Sequence, residues 1–480
     1  MMTVFQHRLR DGILWSAFER FAVQGLQFFI FVLMARALTP TDYGLVGMLT
    51  FFIVIAQLVA EGGLSQAIIR KLDRDEKDLS TSFFVNISVG GVLYLILYLS
   101  SSMIAQFYEE PALLNMLRVM GLCVIIQSSL VVHRALLTSR LDFKSQAKST
   151  LVGALASGLC GISMAYKGYG AWAIVGLQLT NQIATGISLW LVSDWHPKWQ
   201  FSASSFKNLY GFGYKLLLSN VIESIYNSFL VLSIGKVFSA YALGSYTNAK
   251  QLGSVSSENL TRIVQRAAFP KFCTLQNDTR KLRQSISDYL RIMIFIIAPL
   301  MLGLAALSQP LTTALIGPQW LYTGRLLRIL CVCFLFFPLT SVNFMVLEIL
   351  GKGVSYLRLQ IIKVAVGLSL LALLLPYGLS AVCVGLVITA TISYVVSASL
   401  AGQSICFGFI PQIKTIFPII INALIAASIM FALQFTIEGE WLQVTIGILA
   451  GLLTYGALSL TFQTELCNML VSLLRLRKMD

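Results

Sequence analysis

The sequence predicts an all-α integral membrane protein of about fourteen spanning helices, each of the ~20 apolar residues that cross about 30 Å of hydrocarbon. Three observations carry that expectation. Of 480 residues, 57% are hydrophobic and only 12% charged, with a mean hydropathy of +0.78, whereas soluble domains carry about a quarter charged residues. The apolar runs are long and continuous, where a membrane barrel would show short alternating segments, so helices are the spanning structure that satisfies their backbone. Polar breaks recur at helix-length intervals and leave no room for a sizeable soluble domain.

His7, Arg8 and Arg10 precede the first apolar run, and no small-residue cleavage site follows it. A retained first helix over 12–38 is therefore expected. Ser16, Arg20, Gln24 and Gln27 are spaced i, i+4, i+8 and i+11, which puts them on one face. That face is expected to look inward, although Glu19 and Arg20 can instead snorkel to the membrane interface. A second helix is expected over 43–61, after which the run RKLDRDEKD at 70–78 reads as a solvated loop. A third span over 82–107, the turn Glu109-Glu110-Pro111 and a fourth span ending near His133 lead to Arg134, Arg140, Lys144 and Lys148. Helices five and six follow at 150–166 and 170–192. The polar and aromatic break at 193–208, with Trp195, Pro197 and Trp199, suits a membrane interface and marks a boundary between lobes.

Helices seven and eight, over 209–270, are apolar enough for a bilayer yet carry Lys215, Glu223, Lys236, Lys250, Glu258, Arg262 and Arg266. An ionisable group at membrane depth costs about 3 kcal/mol on insertion scales, so such residues face a bundle interior or a wet cavity. These two segments are therefore expected to wall a polar cavity. Ser219, Glu223 and Asn227 offer a stripe to meet that of helix one, and Arg262 stands four residues after Glu258, a helix-pair spacing.

A loop over 271–288 is expected next, then helix nine at 289–307, a short excursion at 310–320, and helix ten to 350. Lys352 and Arg358 precede helix eleven, which ends before Pro376. Helix twelve is expected over 380–404. Two further helices at 415–435 and 441–462 have no counterpart in the first half. The expected organisation is a lobe over 1–205, a second over 206–405, and an appended pair with a tail over 406–480.

The two lobes carry traces of one repeat. Arg36, Thr39 and Gly44 recur 200 residues later as Lys236, Ser239 and Gly244, and Tyr169-Gly170 recurs as Tyr377-Gly378. Paired halves with a substrate site between them are a common transporter plan.

The net charge of +14 does not indicate a nucleic-acid partner, because the cations are scattered among loops instead of forming one basic face. Most lie in alternate loops and at the termini, which by the positive-inside rule places both termini in the cytoplasm. The opposite loops are short, which argues against an outer catalytic domain. The eight cysteines, Cys123, Cys160, Cys273, Cys331, Cys333, Cys383, Cys406 and Cys467, lack metal-ligand spacing and read as small core residues. His7, His133 and His196 sit near no Ser and Asp arrangement, and no glycine-rich phosphate loop is present. A transporter, not an enzyme, is expected.

The segments RALTPTDYGLVG at 36–47, GGLSQAIIRK at 62–71, RLDFK at 140–144, GSYTNAK at 244–250, Phe269-Pro270 and LIGPQW at 315–320 resemble polysaccharide transporters of the multidrug/oligosaccharidyl-lipid/polysaccharide exporter superfamily. The resemblance covers most of the chain and is nearest the branch with the colanic acid and teichuronic acid exporters. It implies two six-helix lobes around a cavity in a bacterial cytoplasmic membrane, with the last helix pair outside that core. It also implies a cargo, an oligosaccharide on a polyprenyl pyrophosphate carrier flipped to the outer leaflet, and polysaccharide polymerase or export proteins as partners. A pyrophosphate needs cations along a low-dielectric path. Arg20, Gln24, Lys215, Glu223, Asn227, Lys250, Glu258, Arg262 and Arg266 are the candidate cavity residues, with no cofactor or metal. Glu223 and Glu258 are open to two readings: carrying a proton or sodium ion from a gradient, or pairing with Lys250 or Arg262. A related multidrug or lipid-II-type carrier is the alternative, and a membrane glycosyltransferase or polymerase a remote one. A cationic-drug exporter would want a more acidic cavity.

The charge bias makes a topological prediction. A thiol probe introduced at Thr41 is expected to react with an impermeant reagent from outside the cell, and one at Lys144 to be protected; the reverse pattern would invert the orientation.

Overall fold

The structure, a computed structural model, describes residues 23–464 and 466 apart from 72 and 141, and the side chains at 208, 212–223, 225–227 and 267 lie outside that description. The described residues are helical with no strand. In order the helices are α1 (Val23–Ala37), α2 (Pro40–Glu61), α3 (Leu64–Arg70), α4 (Glu76–Tyr108), α5 (Ala112–Met120), α6 (Leu122–Ser139), α7 (Phe143–Tyr166), α8 (Ala171–Val192) and α9 (Ala203–Val237). After them come α10 (Ala240–Thr274), α11 (Thr279–Ala306), α12 (Ser308–Ile316), α13 (Leu321–Ile349), α14 (Gly353–Leu374), α15 (Leu379–Ile405), α16 (Phe409–Leu433) and α17 (Glu440–Phe462). Among the described residues, ten segments are long and apolar enough to cross a membrane. The helices α8, α9 and α10 are long, at 22, 35 and 35 residues, but fall outside those ten. The chain divides into two compact units, Met1–Gly244 and Ser245–Asp480.

In the first unit, helix α2 starts on a capping box: the Thr39 hydroxyl oxygen accepts from the Asp42 N–H at 3.3 Å and the Asp42 carboxylate from the Thr39 N–H at 2.9 Å. Helix α10 starts on the first half of that device, the Ser239 hydroxyl oxygen accepting from the Ala242 N–H at 3.1 Å. Each device occupies backbone donors that a helix end leaves free. The two starts cross at backbone distance: a Cβ added to Gly44 would overlap the Ala240 carbonyl, and one added to Gly244 would overlap the Pro40 carbonyl. Positions 40 and 44 thus meet their own repeat equivalents, 240 and 244, reciprocally, as in a two-fold contact. Nearby, Lys236 Nζ lies 2.8 Å from the Glu109 carboxylate and 5.2 Å from the Phe107 ring centre. The lysine's hydrogen bond holds the Glu109 carboxyl below its ordinary range.

The other end of this unit is polar and aromatic. The Glu76 carboxylate accepts from Trp195 Nε1 at 2.7 Å, the Ser80 and Thr81 hydroxyls accept from the Lys198 and Ser202 N–H groups, and Arg74 donates to Ser139 at 2.7 Å. Below them Phe83, Val132, Leu136 and Trp195 form a buried cluster, with the His133 ring 4.5 Å from that of Trp190. The turns that should share one membrane face therefore gather at one end, and the basic loops at the other.

Several expected boundaries move. The run 70–78 is a loop only to residue 75. Asp75 caps α4, Asp78 completes its capping box, and Asp78 is buried against Lys71 at 2.5 Å. The aromatic break ends at residue 202, where the Ser202 hydroxyl oxygen accepts from the Ser205 N–H and starts α9. Residues 279–288 are helical instead of looped, because the Asp278 carboxylate caps α11 at the Lys281 N–H and Leu282, Ile286 and Tyr289 continue its buried stripe. Pro270 lies within α10 instead of ending it. The excursion at 310–320 is packed helix, α12 and a 3₁₀ turn, with Trp320 fully buried.

The second unit is assembled around prolines. Pro338 inside α13 has no N–H for the carbonyl four residues back, and the Phe334 carbonyl instead accepts from the Ser257 hydroxyl of α10 at 2.7 Å. Pro299 inside α11 likewise frees the Phe295 carbonyl, which accepts from the Tyr455 hydroxyl of α17 at 2.8 Å. In hydrocarbon such freed carbonyls must find a donor on a neighbouring helix. The Gln412 amide on α16 donates to Asn343 Oδ1 on α13 at 2.8 Å, and Asn343 reaches Ser397 on α15 at 3.3 Å, all buried.

The proline and its donor make a linked pair. Ser257→Ala is expected to cost about 1–2 kcal/mol by stranding a buried carbonyl, and most of that cost should vanish in a Pro338→Ala background, where the helix supplies its own N–H. A double-mutant cycle on thermal unfolding in detergent measures it; an undiminished cost in the alanine background would break the link.

Candidate functional site

Helix α10 has two faces with different chemistry. One carries Tyr246, Ala249, Gly253, Ser257 and Thr261, all packed inward. These residues let α13 approach closely: a Cβ on Gly253 would press on the Phe334 ring, one turn before the Ser257 bond to the Phe334 carbonyl. Small residues are the usual means of close helix contact in a membrane. The other side carries Glu258, Arg262 and Arg266, while Lys250 falls between Ser257 and Thr261 on the packed side at 100° per residue.

Glu258 and Arg262 pair at 3.5 Å, as their spacing predicts, with the arginine side chain 64% and the glutamate 28% exposed. The Arg262 guanidinium also lies 6.0 Å from the Phe337 ring centre, within range of a cation–π contact. One turn on, Gln265 accepts from the Ser341 hydroxyl at 2.9 Å, and Arg266 is exposed. Lys250 is half-buried, within electrostatic reach of Glu258, of Cys333 on α13 and of Lys363 on α14. The Cys333 thiol itself rests 3.7 Å from the Leu386 carbonyl of α15. On the side of Glu258, the two arginines Arg262 and Arg266 outnumber the one glutamate, so it attracts anions.

Of the expected cavity residues, Glu258, Arg262 and Arg266 share one face of α10 in the second unit, and Lys250 lies on its packed side. Gln24 is half-buried on α1 in the first unit. Arg20 lies outside the described residues, and so do the side chains of Lys215, Glu223 and Asn227 on α9. Lys363, Gln265 and Ser341 were not among the candidates, and Cys333 was expected as plain core. Lys363 could have been found by the rule that selected Lys250, since it too is a cation within a long helical segment. Groups of His, Cys, Asp and Glu able to hold a metal are absent among the described residues, and the cysteines described there are free.

The fold has counterparts among solved structures. The chain is 18% identical to a structure described as lipid II flippase MurJ in an inward closed conformation, with a TM-score of 0.76 over 95% of this chain and all of that one. An inward-facing multidrug resistance transporter of the MATE family superposes with a TM-score of 0.61 over 80% of this chain and 94% of its own. At these identities the likeness shows the fold. In sequence, the chain is 26% identical to the teichuronic acid biosynthesis protein TuaB of Bacillus subtilis (strain 168), over 93% of this chain and 94% of that protein. It is 24% identical to the lipopolysaccharide biosynthesis protein WzxC of Escherichia coli (strain K12), over 67% and 66%. Residues 33–325, more than half of the chain, match the model of the family described as polysaccharide biosynthesis protein, and the chain belongs to that family.

Proposed function

We propose that this protein flips polyprenyl-pyrophosphate-linked oligosaccharide units from the cytoplasmic to the outer leaflet of a bacterial inner membrane, for export of a surface polysaccharide. The observation that carries the reading is the cation-rich face of α10 in a chain of this family. An oligosaccharide head is too polar to cross hydrocarbon, and its pyrophosphate is an anion that lysines and arginines at depth can hold while it passes. The polyprenyl tail is as apolar as the bilayer and can stay in it. Fourteen spans with both termini in the cytoplasm fit a substrate assembled there. Polysaccharide polymerase or export proteins would receive the product. Nothing in this scheme requires catalysis.

The candidate site for the cargo is Arg20, Gln24, Lys215, Glu223, Asn227, Lys250, Glu258, Arg262 and Arg266. Glu258 already pairs with Arg262, which favours the structural role for that acid over ion coupling; a coupling proton or sodium ion would then fall to Glu223. Alanine at Arg20, Lys215, Lys250 and Arg262 together is expected to lower export of lipid-linked oligosaccharide at least tenfold, each charged contact contributing about 1.5–3 kcal/mol. The protein should remain inserted and abundant, and undiminished export would remove these residues from the cargo site.

For the transport cycle, the repeat supports two lobes, over 1–205 and 206–405, that rock about a polar path, with 406–480 appended. On this reading α9, which packs on α2 and α4, exchanges partners as the lobes move. The reciprocal crossing at Gly44 and Gly244 is then a closure that must part in each cycle. A disulfide engineered across the turns at 38–42 and 238–242 is expected to stop export when oxidised and to release it on reduction. Transport at an unchanged rate by verifiably cross-linked protein would rule out this movement.

A further inference from the structure

One corner of the second unit, where the start of α13 meets α12 and the end of α16, is basic without a matching acid. From Asp288 to Glu348 the only charged residues between the two acids are Arg291, Arg325 and Arg328. Arg325 and Arg328, three residues apart, are neighbours on one side of α13, the first exposed and the second half-buried. The Arg328 guanidinium lies 5.1 Å from the Phe431 ring centre of α16, and its Nη2 donates to Gln309 Oε1 of α12 at 3.4 Å. Backbone contact fixes Gln309 there, since a Cβ on Gly324, one turn before Arg328, would meet the Gln309 Cα at 3.0 Å. The Arg328 Nε–H is buried with no partner among the described residues, and so is the hydroxyl of Ser308 beside Gln309.

Other polar groups of the corner find acceptors. The Gln434 amide of α16 donates to the Ala306 carbonyl, the Thr312 hydroxyl to the Ser308 carbonyl at 2.8 Å, and the Gln443 amide of α17 to the Ile437 carbonyl at 2.9 Å. The acids of the α16–α17 turn, Glu438 and Glu440, are exposed, and among the described residues Arg328 meets neutral groups only. A half-buried cation with neutral neighbours is left uncompensated, and a buried donor without an acceptor adds to the cost. The Nε–H and Nη2 of a guanidinium form the fork that grips two oxygens of one phosphate. Here that edge has one bond near the limit of hydrogen-bond length and one donor unused. Phe431 and Phe435, exposed beside it with ring centres 5.3 Å apart, favour an anion carried on an apolar body. We propose that Arg328, with Arg325, binds the phosphate of an anionic phospholipid resident at this corner, as basic pockets between membrane helices do. At 100° per residue Arg328 lies opposite Phe337 on α13, the ring that meets Arg262. The lipid is therefore a companion of the α12–α13–α16 corner and separate from the cation-bearing side of α10.

The test uses the full-length protein, delipidated in detergent, with phosphatidylglycerol, phosphatidylcholine and inorganic phosphate as probes. Native mass spectrometry counts bound lipid, and the thermal unfolding midpoint follows it, because a ligand of the folded state raises that midpoint. Wild type is expected to bind phosphatidylglycerol more tightly than phosphatidylcholine, whose own ammonium offsets its phosphate, and to gain nothing from inorganic phosphate at the same concentration. Arg328→Gln should weaken phosphatidylglycerol binding about tenfold or more, the size of one charged hydrogen bond, and Arg325→Gln by a smaller factor. Arg328→Lys keeps the charge and removes the fork, so it should also bind more weakly. Lys198→Gln, at an exposed cation of the first unit, should bind as wild type does. Undiminished binding by Arg328→Lys and Arg325→Gln overturns the site even where Arg328→Gln does not fold. Equal weakening by Lys198→Gln reduces the effect to overall charge and overturns it too. Stabilisation by inorganic phosphate as large as by the lipid would leave a free-anion site and overturn the lipid source.

Discussion

A carbonyl that loses its helical donor inside a bilayer has no water to fall back on, and this constraint sets how the second unit is put together. Pro338 and Pro299 each create one such carbonyl, and in each case the donor comes from a different helix: Ser257 on α10 and Tyr455 on α17. Proline thus acts as a directed cross-link, converting a local defect in one helix into a contact that fixes a second. For α10 the consequence reaches the function. With Ser257 tied to α13 and Gly253 closed against Phe334, the rotation of α10 is fixed, and Glu258, Arg262 and Arg266 are turned together to the other side. A helix of such low apolar content could not choose that rotation by hydrophobic burial alone.

The first unit depends on a different close approach. Where α2 and α10 start, glycine at 44 and 244 removes the Cβ atoms that would keep the helices apart, and caps at Thr39 and Ser239 supply the acceptors their first N–H groups need. The same three-part device appears twice because the sequence repeats, and the copies meet each other. At the crossing itself backbone meets backbone, and Met48, Tyr108 and Leu243 are buried around Gly235 beside it.

Much of this was legible in the sequence. Helix class, the matched positions at 39/239 and 44/244 and the Glu258–Arg262 pair follow from periodicity and spacing, which are local. What was missed depends on partners distant in the chain. Asp78 looked like one more charge in a polar run and is a buried cap because Lys71 folds back on it. Residues 279–288 looked like loop because of Arg280, Lys281 and Arg283, yet their apolar residues carry the helical stripe while those charges point out. Trp320 sat in an apparent excursion and is buried under α12 and α13. Pro270 reads as the end of a helix because proline usually stops one, yet it lies inside α10.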